Sequence, residues 1–177
     1  MTAAAPILVC PLAHVGSIAA ERRPSAMVTL QSRPPAPPTP PGIRPQAHTT
    51  LLFHDVVPET HPSPDLVPPA PRHARAIVAA ARQWDRRGPL LIHCQFGVSR
   101  SPAAALIAAL ALDPARDPHA LARLLRERCP SATPNAMLIA HGDALLGLRG
   151  ALVSAVAAIG RGRTTTEGEP FALEVRA

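Results

Sequence analysis

Leu90-Leu91-Ile92-His93-Cys94-Gln95-Phe96-Gly97-Val98-Ser99-Arg100-Ser101-Pro102 is the stretch that decides the fold. Leu90 to Ile92, enclosed by Pro89 and His93, is a short continuous apolar run of the kind buried on both faces of a parallel sheet. From Pro102 the chain continues as Ala and Leu to Leu112 with no polar stripe, which predicts a helix enclosed by other elements. Cys94 therefore ends a strand, and Ser101 stands where a helix begins.

A strand, a tight loop and a helix amino terminus in succession aim several backbone N–H groups into one concavity, where the helix dipole adds positive potential. Gln95, Phe96, Gly97, Val98, Ser99 and Arg100 are the candidate lining of such an oxyanion cradle. Arg100 adds a planar fork that bonds two phosphoryl oxygens, and Gly97 permits a bend that a β-carbon would obstruct. The same field acts on Cys94. A thiol that ordinarily titrates near 8.5 falls to roughly 3.5 to 7.5 at a helix amino terminus beside a cation, so a reactive thiolate is expected. The hydroxyls of Ser99 and Ser101 are placed to donate to that sulfur, and His93 to orient the loop through its ring. Cys10 is followed six residues later by Gly16 and Cys129 by Asn135, so the cysteine-to-arginine spacing occurs once.

Outward from this stretch, Pro6 to Val9 reads as a strand, Ala13 to Arg22 as a helix and Ala26 to Leu30 as a second strand. Prolines then dominate Arg33 to Pro45, which predicts an extended surface loop without ladder hydrogen bonds. His48 to His54 is rich in β formers and delivers Asp55 at its end. A second proline-studded loop runs from Val57 to Ala70, and Pro71 opens a helix to about Arg87, stopped by Gly88. In the second half, Asp113-Pro114 closes the central helix, Asp117-Pro118 caps the next, Thr133-Pro134 repeats the device ahead of Met137 to Leu146, and a last helix covers Ala151 to Ile159. The pattern predicts an α/β fold, a small, mostly parallel central sheet flanked by helices with a helical carboxy-terminal half. Residues 1–160 are expected to form one domain, and 161–177, with Thr164-Thr165-Thr166, a flexible tail with at most a contact by Phe171.

Composition bounds the partners. All 18 basic residues are arginine against 12 acids, a net charge of +6. The arginines are scattered, without a basic run interleaved with aromatics, so no nucleic-acid partner is expected. No apolar run is long enough for a bilayer and Met1 to Ala20 has no signal-peptide pattern. An odd three cysteines in unrelated contexts suit a reducing cytoplasm. Cys10 and Cys129 read as small core residues, either of which would protect Cys94 from over-oxidation if it lay within disulfide reach. His54, His61, His73 and His141 lack metal-ligand spacing, and neither metal nor cofactor is expected.

The His-Cys-x5-Arg-Ser arrangement of His93 to Ser101 resembles the signature of the cysteine-dependent protein tyrosine and dual-specificity phosphatase superfamily. The strand before it, the apolar helix after it and Pro134-Asn135 extend the similarity over Ile7 to about Ile159, with small bacterial members closest. The resemblance implies a phosphatase-like fold and a phosphoprotein phosphatase for phosphotyrosine, with dual specificity open. Its substrate would be a phosphorylated protein or a small phosphate ester. Cys94 would form a phosphocysteine that water then hydrolyses, assisted by Ser101, with Asn135 bracing the loop.

The general acid that the resemblance requires has two candidates. Asp65, 29 residues before Cys94, has the family's usual separation, while Asp55, 39 before, ends a strand expected beside that of Cys94. Loop length varies freely, so topology favours Asp55. With no tyrosine in the chain, a wall for a substrate ring falls to Phe53, Phe96, a histidine or aliphatic side chains. Two other readings compete: a rhodanese-like sulfurtransferase, and a non-catalytic pseudophosphatase that binds phosphoproteins, the latter requiring that neither aspartate reach the pocket.

Overall fold

The computed structural model describes residues 5–56 and 63–175. Five strands, β1 (Ile7–Pro11), β2 (Ala26–Gln31), β3 (His48–Leu52), β4 (Leu90–Cys94) and β5 (Phe171–Leu173), form one sheet in the order β3-β2-β4-β1-β5. All pairings are parallel except that of β5 with β1. β4 is the central strand, and every residue of it is buried, as its apolar run required. β3, at the edge, is polar and half exposed, the composition that keeps an unpaired edge from recruiting other chains.

Helix α1 (Val15–Arg22) carries the chain from β1 to β2 over one face, packing with Leu8, Cys10, Met27 and Leu91. The other face holds the main core, where α2 (Pro71–Gln83) and α3 (Arg100–Leu112) meet Ile7, Val9, Val28, Leu30, Leu90 and Ile92. α3 is buried along nearly its whole length and is enclosed by α2, α4 (Pro118–Arg128) and α5 (Ala136–Leu146). α6 (Ala151–Ala158) packs on α4 and α5. Crossovers on opposite faces from β1 and β3 leave a crevice beyond the carboxyl ends of β2, β4 and β1, the place where open α/β sheets bind ligands. Among the described residues no helix is long and apolar enough to cross a membrane.

Four expectations need correction. α2 stops at Gln83 and not at Arg87, because the Trp84 indole turns back to donate to the Gly88 carbonyl (2.9 Å) and to Ser25 Oγ (3.1 Å). Gly88 acts there by close approach, since a β-carbon would stand 2.6 Å from the Arg23 carbonyl oxygen. α3 begins at Arg100, two residues ahead of Pro102; a proline in the first turn removes only an N–H that has no helical partner. α5 is capped by Asn135, whose side chain accepts from Leu138 N, and not by Thr133. Finally, the segment expected as a flexible tail contains β5, with Phe171, Leu173 and Val175 buried in the main core. Three residues are too few for a period to announce a strand; pairing with β1 makes it one.

Candidate active site

The loop from Cys94 to Arg100 is held open by its own carbonyls. Leu12 N donates to Gln95 O (3.2 Å), Gly168 N to Phe96 O (2.8 Å), Thr133 N to Val98 O (2.8 Å), and Asn135 N and Ala103 N to Ser99 O (3.3 and 3.2 Å). A peptide's C=O and N–H point in opposite directions. Turning these carbonyls outward therefore turns the N–H groups of Phe96, Gly97, Ser99 and Arg100 toward the interior of the loop. Gly97 has a φ of +69°, and a β-carbon on it would lie 2.9 Å from Pro11 N, so the loop packs directly on the end of β1.

Cys94 lies at the floor, 2% exposed. Its sulfur accepts from Gly97 N at 3.2 Å and stands 3.1 Å from Ser101 Oγ. Ser99, expected to share that role, turns away and donates to Asp55 Oδ1 at 2.7 Å. Arg100 is 4% exposed. Its Nη1 donates to the Phe53 carbonyl (2.9 Å) and Ser32 Oγ (3.1 Å), fixing the guanidinium plane. Its Nε is buried without a hydrogen bond and stands 3.9 Å from Asp55 Oδ2. A buried donor without a hydrogen bond is costly, and an oxyanion in the adjoining cavity would supply the acceptor.

Asp55 reaches this centre from the end of β3. Its Oδ1 accepts from Ser99 Oγ and from Asn135 Nδ2 (2.9 Å), so Asn135 uses its oxygen to cap α5 and its amide to hold the carboxylate. Asp55, Cys94, Phe96, Val98, Ser99 and Arg100 line a cavity of about 230 Å³ together with Thr165 and Thr166. Asp65 is exposed and lines no part of it. Phe96, 55% exposed, stands at the rim, whereas Phe53 is fully buried and stacks on His73 at 4.5 Å.

His93 faces away from the cavity. Its Nε2 meets Thr29 Oγ1 at 2.7 Å, Thr29 meets His48 Nε2 at 2.8 Å, and His48 Nδ1 meets Thr39 Oγ1 at 2.7 Å. Burial pushes the His93 pKa down to about 4, the Cys94 backbone opposing and His48 and Arg100 adding to the fall, so the ring is neutral at physiological pH. Cys10 is also buried on the α1 face, whereas Cys94 belongs to the main core, so the two sulfurs are on opposite faces of the sheet. Desolvation, and then the charge of Cys94, raise the Cys10 thiol to about 12. All three cysteines are free.

Three further histidines serve local structure. His54 Nδ1 accepts from Val67 N, His73 Nδ1 accepts from Ala70 N at the start of α2, and His141 Nε2 contacts the Pro69 carbonyl. His61 and the rest of the 57–62 stretch lie outside the described residues. Sequence reasoning missed Ser32, the Phe53 carbonyl, Thr29, His48 and the two threonines of the cavity. Ser32 follows β2 directly, beside the crevice, and that position was its one readable signal; a backbone carbonyl has none.

No family model matches the sequence, and no curated protein matches it. Among solved structures the chain is similar to human DUSP28, with 20% identity over 78% of this chain and 85% of that one and a TM-score of 0.56. A mouse protein assigned to the dual specificity phosphatases, determined with zinc tungstate, is 21% identical over 80% of this chain and 79% of its own, with a TM-score of 0.46. The fold is that of the dual specificity phosphatases.

Proposed function

We propose that this chain is a cysteine-dependent phosphatase that removes phosphate from phosphorylated protein side chains. One observation carries the reading: the carbonyls of Gln95, Phe96, Val98 and Ser99 are drawn outward around Cys94, which turns the N–H groups that follow them inward, toward a sulfur that holds two hydrogen-bonding neighbours. Such a ring, with Arg100 Nε, which makes no hydrogen bond, at its edge, matches the equatorial oxygens of a phosphoryl group under attack.

In the first step the Cys94 thiolate attacks phosphorus, the bond to the leaving oxygen breaks, and Asp55 gives that oxygen its proton. Asp55 Oδ1 is already engaged by two donors, which leaves Oδ2 to carry the proton. In the second step the Asp55 carboxylate takes a proton from water as its oxygen attacks phosphorus, and the phosphorus–sulfur bond breaks. Ser101 stabilises the departing thiolate, and orthophosphate leaves. No step calls for a metal or cofactor. The cavity lining includes Asp55, which weighs against a purely binding role, and three free thiols suit a reducing compartment such as the cytoplasm.

Hydrolysis of an aryl phosphate tests the proposal. The wild-type chain is expected to turn over with a chelator present, to be inhibited by vanadate, and to lose activity in Cys94→Ser. Full activity in Cys94→Ser, or dependence on added metal, would overturn it.

A further inference from the structure

The segment between α6 and β5 is a strap fastened along the outer edge of the Cys94 loop. At its start, Arg126 donates to the Ile159 and Gly160 carbonyls and also to those of Pro130 and Ala132, tying two stretches of chain to one guanidinium. Gly162 N then donates to Thr133 Oγ1 (3.0 Å) and Arg163 N to the Pro130 carbonyl (2.9 Å). Thr133 is the residue whose N–H holds Val98 O. At the far end Gly168 N holds Phe96 O, and β5 follows at once. The strap thus runs from the Val98 side of the loop to the Phe96 side.

Two glycines make this closeness achievable. A β-carbon on Gly162 would lie 2.4 Å from backbone atoms of Ser131, and one on Gly168 3.0 Å from the Gly97 carbonyl oxygen. Between the anchors, Thr165 Oγ1 donates to Glu167 O (2.7 Å) and accepts from Glu167 N (3.3 Å), a local turn that stiffens the crest. Thr165 and Thr166 are exposed, yet they line the same cavity as Cys94 and Arg100.

We propose that this strap, through Thr165 and Thr166, raises the rim of the pocket and makes the site selective for phosphotyrosine over phosphoserine and phosphothreonine. Cys94 is nearly inaccessible at the floor, so depth decides which side chains bring phosphorus within bonding distance. An aryl ester carries its phosphate well beyond the peptide backbone, and the exposed ring of Phe96 offers it an apolar side. A phosphothreonine is several bonds shorter, and its backbone would have to enter the space that the strap fills.

The inference rests on the phosphatase reading, and its test separates the two. Phosphotyrosine and phosphothreonine peptides with identical flanks are compared by kcat/KM for the wild type, for Thr165→Ala/Thr166→Ala, and for Gly162→Val, which dislodges the strap at its anchor. The wild type should prefer phosphotyrosine by at least about tenfold, within the range that pocket contacts supply, and both variants should bring the ratio toward one. If Gly162→Val fails to fold, the threonine pair still decides. Equal rates on both peptides in the wild type, or an unchanged ratio in the folded variants, would overturn the proposal. If the wild type hydrolyses neither, the phosphatase reading fails, and calorimetric binding of the two peptides to Cys94→Ser replaces turnover. Preference for phosphotyrosine that the strap variants lose then upholds the strap, and equal binding overturns it.

Discussion

Asp55 is held by two donors on one oxygen, Ser99 Oγ and Asn135 Nδ2, and faces Arg100 Nε with the other. That geometry gives it a fixed direction, the requirement for a proton donor to a leaving oxygen. Asp55→Asn keeps the size and the two hydrogen bonds accepted by Oδ1 while removing the proton, so turnover should fall about 100- to 10,000-fold, the usual worth of general acid–base catalysis. The burst of phosphocysteine from an activated aryl phosphate should persist, since such a leaving group needs no proton; rapid-quench kinetics measure both phases. Asp65→Asn should behave as wild type, and loss of turnover there would reverse the assignment. Ser101 is the complementary case. Its hydroxyl stands 3.1 Å from the sulfur, so Ser101→Ala should slow release of the thiolate and let the phosphoenzyme accumulate, visible as a mass increase in quenched protein.

At the level of elements, β4, its loop and α3 act as one unit braced on β1. Gly97 brings the loop within contact of Pro11 and Cys10, with positive φ. Gly97→Ala meets both objections together and should destabilise the fold by roughly 1 to 3 kcal/mol, the usual cost of a strained backbone position. It should also weaken vanadate binding, because the loop cannot keep its N–H ring while moving off β1. Denaturant melts and vanadate titration read the two effects, and an unaltered vanadate affinity would show that the ring tolerates the shift. This unit was legible in the sequence because its cues are local: an apolar run, a glycine, and an apolar helix read from Pro102 to Leu112, which the fold begins two residues earlier at Arg100. Asp117 at the start of α4 was legible for the same reason. What escaped depends on partners distant in sequence. Trp84 ends α2 through Ser25, and β5 exists only against β1. The Asp55 assignment rested on strand topology, and the cavity lining now contains Asp55 without Asp65. Its two donors, however, come from 44 and 80 residues away, beyond the reach of any periodicity.

Across the whole molecule, the sheet order places His93 at one end of a polar chain that crosses three strands. From β4 it passes through Thr29 of β2 to His48 of β3, and on to Thr39 of the proline-rich loop. Thr39 thereby links the loop expected as an extended surface segment to the strand that ends in Cys94. A neutral His93 accepting from Thr29 through Nε2 completes one consistent ordering, in which Thr29 accepts from His48 Nε2 and His48 Nδ1 accepts from Thr39. Protonating either imidazole breaks that order. His93 titrates at about 4 in the fold against an ordinary 6.5, and burial lowers His73, stacked on Phe53, to about 4 as well. With both pKa values depressed, the unfolded chain takes up protons that the folded chain refuses as the pH falls. The stability they contribute is therefore complete above about 6.5, declines between 6.5 and 4, and is fully lost below. For His93 the loss is on the order of 3 kcal/mol by linkage. Melting temperatures of wild type and His93→Gln, followed from pH 8 to pH 4, isolate this share from that of the carboxylates, which both proteins retain. The wild-type curve should fall more steeply through that window, and parallel curves would show that His93 is not held neutral by the fold.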